Sequence, residues 1–397
     1  MRVILFILLS FGFLQSQSID QLIKQSLHMH PSLQTIKYRL SRMDEQIAIS
    51  QNFKNPDVSL TINDIHFNDP FSRTLEPMQY QAINVKQSFP WFGKLDAQKN
   101  LAVSQKSVIL NSYEAAKVQL AFEIRTTAYT MKELQKRINI LNRYKAVAQQ
   151  NIDLYTSYAS TENESHISSM SASLLLSKIK IRQEKYLTIL KIQKAKLSYL
   201  VQSKVSSISN KLNIKKPKKL SYYLNQANNN PNYKMKLTQK EVADAHTKLK
   251  NIMLQPDPYV KVGYFNRQGF EDFASITVGV SMPLYGTEEH TLEAAKKEAL
   301  AANSASLDYK SSLYSEIEIT YASLTEAYMI YNIITDESLP QLKHMFELTQ
   351  SNIQNGADLF AYTNLLEQKL SLEEQRITIQ STFLKTEAKL KSLIGEL

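Results

Sequence analysis

Residues 87–94 read "QSFPWFGK", and the reading of this stretch decides the fold. It holds the only Trp of the chain, Trp91, between Phe89-Pro90 and Phe92-Gly93. Before it, residues 80–89 alternate: Ile83, Val85 and Phe89 share one side, and Ala82, Asn84, Lys86 and Ser88 share the other. That period of two belongs to a strand with one apolar face. After it, neither Gly nor Pro occurs from Lys94 to Lys216. The junction therefore joins a strand to a very long helix. Pro90 cannot extend a strand ladder, and Gly93 permits a sharp turn of the backbone.

The stretch has a counterpart. "SMPLYGT" at 281–287 sets Met282, Pro283, Leu284, Tyr285 and Gly286 against the first junction, Pro283 answering Pro90. Further upstream, Pro31 and Pro56 answer Pro231 and Pro256, each pair 200 residues apart, and "KNPDVSL" at 54–60 answers "LQPDPYV" at 254–260. The chain reads as a tandem repeat, 19–203 and 219–397, with a basic linker at 204–218 that reads as solvated. Each repeat starts with a short helix. A helix of about twenty residues then opens at Pro31 or Pro231, because proline suits a helix start. Two alternating segments follow, about 57–67 and 80–89 in the first repeat and 258–266 and 273–282 in the second. Their length and alternation are those of transmembrane β-strands.

Beyond each junction the period changes to threes and fours. Tyr113, Ala116, Leu120, Ile124, Thr127, Met131, Leu134, Ile138, Leu141, Tyr144, Ala148, Ile152 and Tyr155 form a narrow seam, as on a coiled-coil helix. The polar cluster "ASTENES" at 159–165 marks a reversal between helices at about 94–160 and 166–205. The second repeat reads as helices at about 287–337 and 340–394, with a break at "QNGAD", 354–358. A helix of ~65 residues is ~100 Å long, more than a globular domain needs.

Two strands per repeat make four per chain, too few to close a barrel in lipid. Open edges there leave backbone groups unpaired at several kcal/mol each. The chain is therefore expected to oligomerise. Two chains would supply eight strands, a barrel filled by its own side chains; three would supply twelve and leave a lumen, which better suits the polar strand face of Asn84, Lys86, Ser88, Thr277 and Ser281.

Composition narrows the function. Met1-Arg2, the apolar run Val3–Leu14 and "QSQS" read as a signal peptide over 1–18, cleaved after Ser16 or Ser18. No other segment has the ~18 apolar residues of a spanning helix. There is no Cys, so disulfides, thiolate chemistry and Cys-based zinc sites are excluded. The net charge of +10 is spread along helical faces, and an exported chain has little occasion to meet nucleic acid. No catalytic motif or phosphate loop is found, so no enzyme and no cofactor are expected. "HMH" at 28–30 offers donors that suit Cu(I) or Zn(II) but also reads as the end of a short helix, and no metal site is assigned. Glu288-Glu289 fall at a helix start, where negative charge is favourable without any catalytic role.

The architecture, the pair "FPWFGK"/"MPLYG", the "NP" elements at 55–56 and 230–231 and "NGADLF…LLEQKLSLE" at 355–373 together resemble the TolC-like outer-membrane efflux proteins over about 19–397. The resemblance implies a mainly α fold with a small β part. It implies a homotrimer with a twelve-stranded barrel in the outer-membrane lipid and a periplasmic α-helical tunnel. It also implies work with a periplasmic adaptor (a membrane fusion protein) and an inner-membrane pump. The expected function is the exit duct of a tripartite efflux or type I secretion system; the alternative is a periplasmic coiled-coil adaptor or scaffold without a channel. At the periplasmic tip, the resemblance implies a hairpin turn at Gly356 and a gate of carboxylates. Tyr362 stands at the usual gate position, Asp358 is the nearest acid and Glu367 the next. Asp358 also reads simply as a carboxylate at a helix start. The first repeat has Glu164 where the second has Gly356, which departs from the pattern.

Overall fold

The computed structural model describes residues 17–158, 164–205, 207–209, 212–353 and 359–397. The signal segment and both hairpin tips, including Gly356 and Asp358, lie outside these residues. The element order runs through one pattern twice. The first round is α1 (Ile19–Met29), α2 (Pro31–Ser50), β1 (Asp57–Asn63), β2 (Tyr80–Ser88), α3 (Lys94–Tyr158) and α4 (Glu164–Val201). The second is α5 (Leu220–Gln226), α6 (Pro231–Ile252), β3 (Asp257–Asn266), β4 (Phe273–Ser281), α7 (Thr287–Asn332), a π-turn (Ile333–Ser338), α8 (Leu339–Ile353) and α9 (Leu359–Leu393). Pro31 and Pro231 each open a helix, as their fixed φ and missing N–H favour.

Two boundaries differ from expectation. β1 stops at Asn63 rather than near residue 67, because Asp64 turns into the left-handed region at φ 58°. The break expected at 337–340 is not a break. The helix continues past Pro340 through the π-turn, in which the Leu339 N–H donates to the Ile334 carbonyl. Proline in a helix lacks a donor and clashes with the carbonyl four residues back. The wider π-turn accommodates that at no loss of continuity.

The chain divides into two compact units. One, formed by 35–113 and 231–311, carries the sheet with α2, α6 and the first turns of α3 and α7. A cavity of about 870 Å³ lies among these helices, with Arg42, Gln105, His246 and Glu298 in its wall beside Leu101 and Val108.

The other unit, formed by 1–34, 114–230 and 312–397, is helical. Its seam is the one read from the sequence. Leu120, Ile124, Thr127, Met131, Leu134, Ile138, Leu141, Tyr144 and Ala148 of α3 are all buried. Ile140, Leu141, Tyr144 and Ala148 meet Leu175, Leu176 and Ile179 of α4 and Leu366, Leu370 and Ile377 of α9. Ser18 caps α1 with a reciprocal box: its Oγ accepts from the Gln21 N–H, and its own N–H donates to Gln21 Oε1 at 2.8 Å.

Candidate membrane barrel and its junction with the helices

The four strands form one antiparallel sheet in the order β1-β2-β3-β4. β1 and β4 are its edges. The register sets Val58, Val85, Val262 and Ile276 in one row across the sheet, and Leu60, Ile83, Tyr264 and Ala274 in the next. With Ile62, Val278 and Val280, these residues share one face by alternation. That face is not covered: Leu60 is 81% and Ile276 74% exposed. A contiguous exposed apolar face of this kind marks a membrane or protein contact rather than a water-facing surface.

The opposite face is polar and more enclosed. It carries Ser59, Asn84, Gly263 and Ser275 in one row and Asp57, Lys86, Lys261 and Thr277 in another. Asn84 Nδ2 donates to Thr61 Oγ1 at 3.3 Å. Away from the junction, Tyr80, Phe265 and Phe273 form a ladder of rings, with Phe265 and Phe273 stacked at 4.6 Å. Two glycines make this face possible. A Cβ on Gly279 would lie 2.5 Å from the Tyr259 ring, and one on Gly263 2.6 Å from Asn84 Oδ1.

The first junction is a tight knot. The Phe89 N–H donates to the Pro258 carbonyl at 2.9 Å, so the strand ladder ends at Pro90 as anticipated. Phe92 and Gly93 both adopt positive φ, 56° and 77°. The Ala97 N–H then donates to the Gly93 carbonyl at 2.9 Å and begins α3. Gly286 repeats the turn with φ 75°, and the His290 N–H donates to its carbonyl at 3.0 Å. Trp91, Phe92, Leu284 and Tyr285 are all exposed. An added Cβ at Gly93 meets nothing within 4 Å, so only its φ resists substitution. Gly93→Ala is expected to cost about 1 kcal/mol through the left-handed backbone alone. A chemical-denaturation series checks this, and Gly93→Asn, which tolerates that region, should cost less.

Lys94 is the residue that sequence reasoning missed. Its side chain is 6% exposed, and its Nζ donates to the Gln255 carbonyl at 2.6 Å and to Asp257 Oδ1 at 2.8 Å. It ties the first junction to the start of β3. The repeat pairs Asp57 with Asp257 but Lys94 with Thr287, so no symmetrical signal drew attention to it. Asp257→Ala removes the partner of a buried ammonium. We expect a loss of about 2–3 kcal/mol, reduced from the fully buried case because Asp257 is partly exposed. Lys94→Met in the Asp257→Ala background should recover part of that loss in the same unfolding assay.

Of the candidate tip residues within the described chain, Tyr362 packs its ring against Phe346 at 4.9 Å and Glu367 accepts from Lys178 at 2.9 Å. Glu367 is thus paired with a lysine across α4 and α9. His30 is buried and its ring contacts Ser32 Oγ at 2.7 Å, while Met29 is exposed. The "HMH" stretch does end a short helix, and no group of three metal-binding side chains occurs among the described residues. No helix among the described residues is long and apolar enough to cross a membrane.

Comparison with known proteins agrees with this geometry. Residues 22–188 match the family model described as outer membrane efflux protein. The solved structure of the Campylobacter jejuni CmeC outer membrane channel aligns with a TM-score of 0.78 at 14% identity, covering 95% of this chain and 85% of that one. The Vibrio cholerae outer membrane protein VceC aligns at 0.79 and 16% identity, covering 95% and 96%. The open state of the Neisseria gonorrhoeae MtrE outer membrane channel aligns at 0.78 and 13%, covering 95% and 89%. No curated protein matches by sequence. Over residues 22–188 the chain is thus similar to the outer membrane efflux proteins, and nearly its whole length has the fold of these solved outer membrane channels.

Proposed function

We propose that the chain is the exit duct of a tripartite efflux or type I secretion system, conducting substrates passively through the outer membrane. The observation that carries this reading is the four-stranded sheet with an exposed apolar face, a polar opposite face and two unpaired edges. In lipid those edges must find partners. Joining β4 of one chain to β1 of the next, three times, closes a twelve-stranded barrel with a wet lumen. The long helices then form the periplasmic tunnel, which a periplasmic adaptor and an inner-membrane pump would engage. Energy comes from the pump, since the chain carries no nucleotide-binding motif.

Phe89, Trp91, Phe92 and Tyr285 would form the aromatic girdle at the periplasmic interface, where an apolar ring meets water. With Glu367 paired to Lys178, Asp358 is the proposed gate carboxylate and Gly356 the tip turn. The capping box argues for cleavage of the leader after Ser16, because a cut after Ser18 removes the cap of α1. A scaffold without a channel would leave the apolar sheet face without a role. Carbonate extraction of membranes tests the choice: the channel stays with the membrane until detergent is added, and release by carbonate alone rules it out.

A further inference from the structure

The polar face of the sheet breaks one of the rules of strand pairing. Lys86 of β2 and Lys261 of β3 stand directly opposite each other in the register. Like charges in that position destabilise a sheet. Asp57 flanks the pair on one side and Thr277 on the other. Nevertheless, the ion pairs among the described residues include Lys94–Asp257 beside this row and neither Lys86 nor Lys261. Instead, the Lys86 ammonium sits 4.3 Å from the centroid of the Tyr259 ring. That ring ends over Gly279, where a side chain of any size would displace it. The position of Lys86 is therefore built: a glycine makes room for an aromatic platform, and the platform holds a cation without neutralising it.

We propose that Lys86 and Lys261, two ammonium groups from each of three chains, form a cationic belt inside the barrel that binds polyvalent anions and favours their passage. The proposal rests on the trimeric-channel reading, which turns this face toward the lumen. Asp57 offsets part of the charge, so each chain contributes a net positive charge at this level. Rings of lysine or arginine give pores a preference for anions, and a low-dielectric wall strengthens the field of each charge.

The test is calorimetric titration of inorganic tripolyphosphate into the purified protein in an uncharged detergent, with the oligomeric state measured on the same sample. Wild type should bind, and binding should weaken as salt is raised. Lys86→Gln/Lys261→Gln should lose roughly tenfold or more in affinity. Lys86→Arg/Lys261→Arg should retain it, which separates loss of charge from loss of fold. Lys296→Gln/Lys343→Gln, which removes equal charge from exposed helix surfaces, should bind as wild type does. A trimer that binds no tripolyphosphate, or whose double Gln variant binds as well as wild type, overturns the belt and leaves the channel reading intact. A protein that is not trimeric overturns the channel reading itself.

Discussion

Val278→Arg should abolish stable insertion into the membrane, whereas Thr277→Arg, one residue away, should be tolerated. Both lie at the middle of β4, on opposite faces. Val278 is on the exposed apolar face, and a lipid-facing arginine near the midplane of a barrel costs about 2–4 kcal/mol. In the proposed trimer that cost recurs at three equivalent positions. Thr277 is on the polar face, where an added cation remains in water; it faces Lys261, but an opposed like-charge pair costs at most about 1 kcal/mol, well below the lipid penalty. The readout is the fraction of protein that resists carbonate extraction and migrates as a trimer in mild detergent. Equal behaviour of the two variants would contradict the assignment of faces.

The second large effect concerns the helical unit. Glu374 of α9 is nearly buried. Its carboxylate accepts from Arg182 Nη1 and from Tyr186 Oη, each at 2.9 Å, and Arg137 Nε lies 3.7 Å away. Arg137 also reaches Glu133 at 3.5 Å, and Lys385 of α9 donates to Glu133 at 3.0 Å. One carboxylate on α9 thus holds groups from α3 and α4. Its negative charge, after burial, helps push the Tyr186 hydroxyl above its ordinary range. Removing one partner of a buried pair leaves the other charge stranded, at ~3–5 kcal/mol. Arg182 is partly exposed, so Glu374→Ala is expected at the lower end, about 3 kcal/mol. Thermal unfolding followed by far-ultraviolet circular dichroism should show a clear drop in the helical midpoint. Glu374→Gln keeps an acceptor for Tyr186 and should fall between. Lys343→Ala, which breaks the exposed pair with Glu347, should change stability by less than about 1 kcal/mol.

Much of this architecture was legible because its signals are periodic. The seam from Leu120 to Ala148 and the alternation from Ala82 to Ser88 each need only spacing, and both survive in the structure. The duplication was legible from prolines, since Pro31 and Pro231 mark the same event in each repeat. What was not legible depends on the third dimension. The Lys94–Asp257 contact joins residues 163 apart in sequence and has no counterpart in the second repeat. Glu374 lies in a run of helical residues whose charges look solvated, and only the packing of α3, α4 and α9 encloses it. The π-turn at Ile333–Ser338 is a local answer to Pro340 that helical periodicity does not encode. The family resemblance likewise nominated Glu367 as a gate acid without revealing that Lys178 faces it.

The most direct measurement is single-channel recording of the purified protein, in its proposed trimeric form, in planar lipid bilayers. A lumen closed by three sheets predicts discrete conductance steps that scale with salt concentration. Trimers that insert stably yet stay silent at every voltage would contradict it.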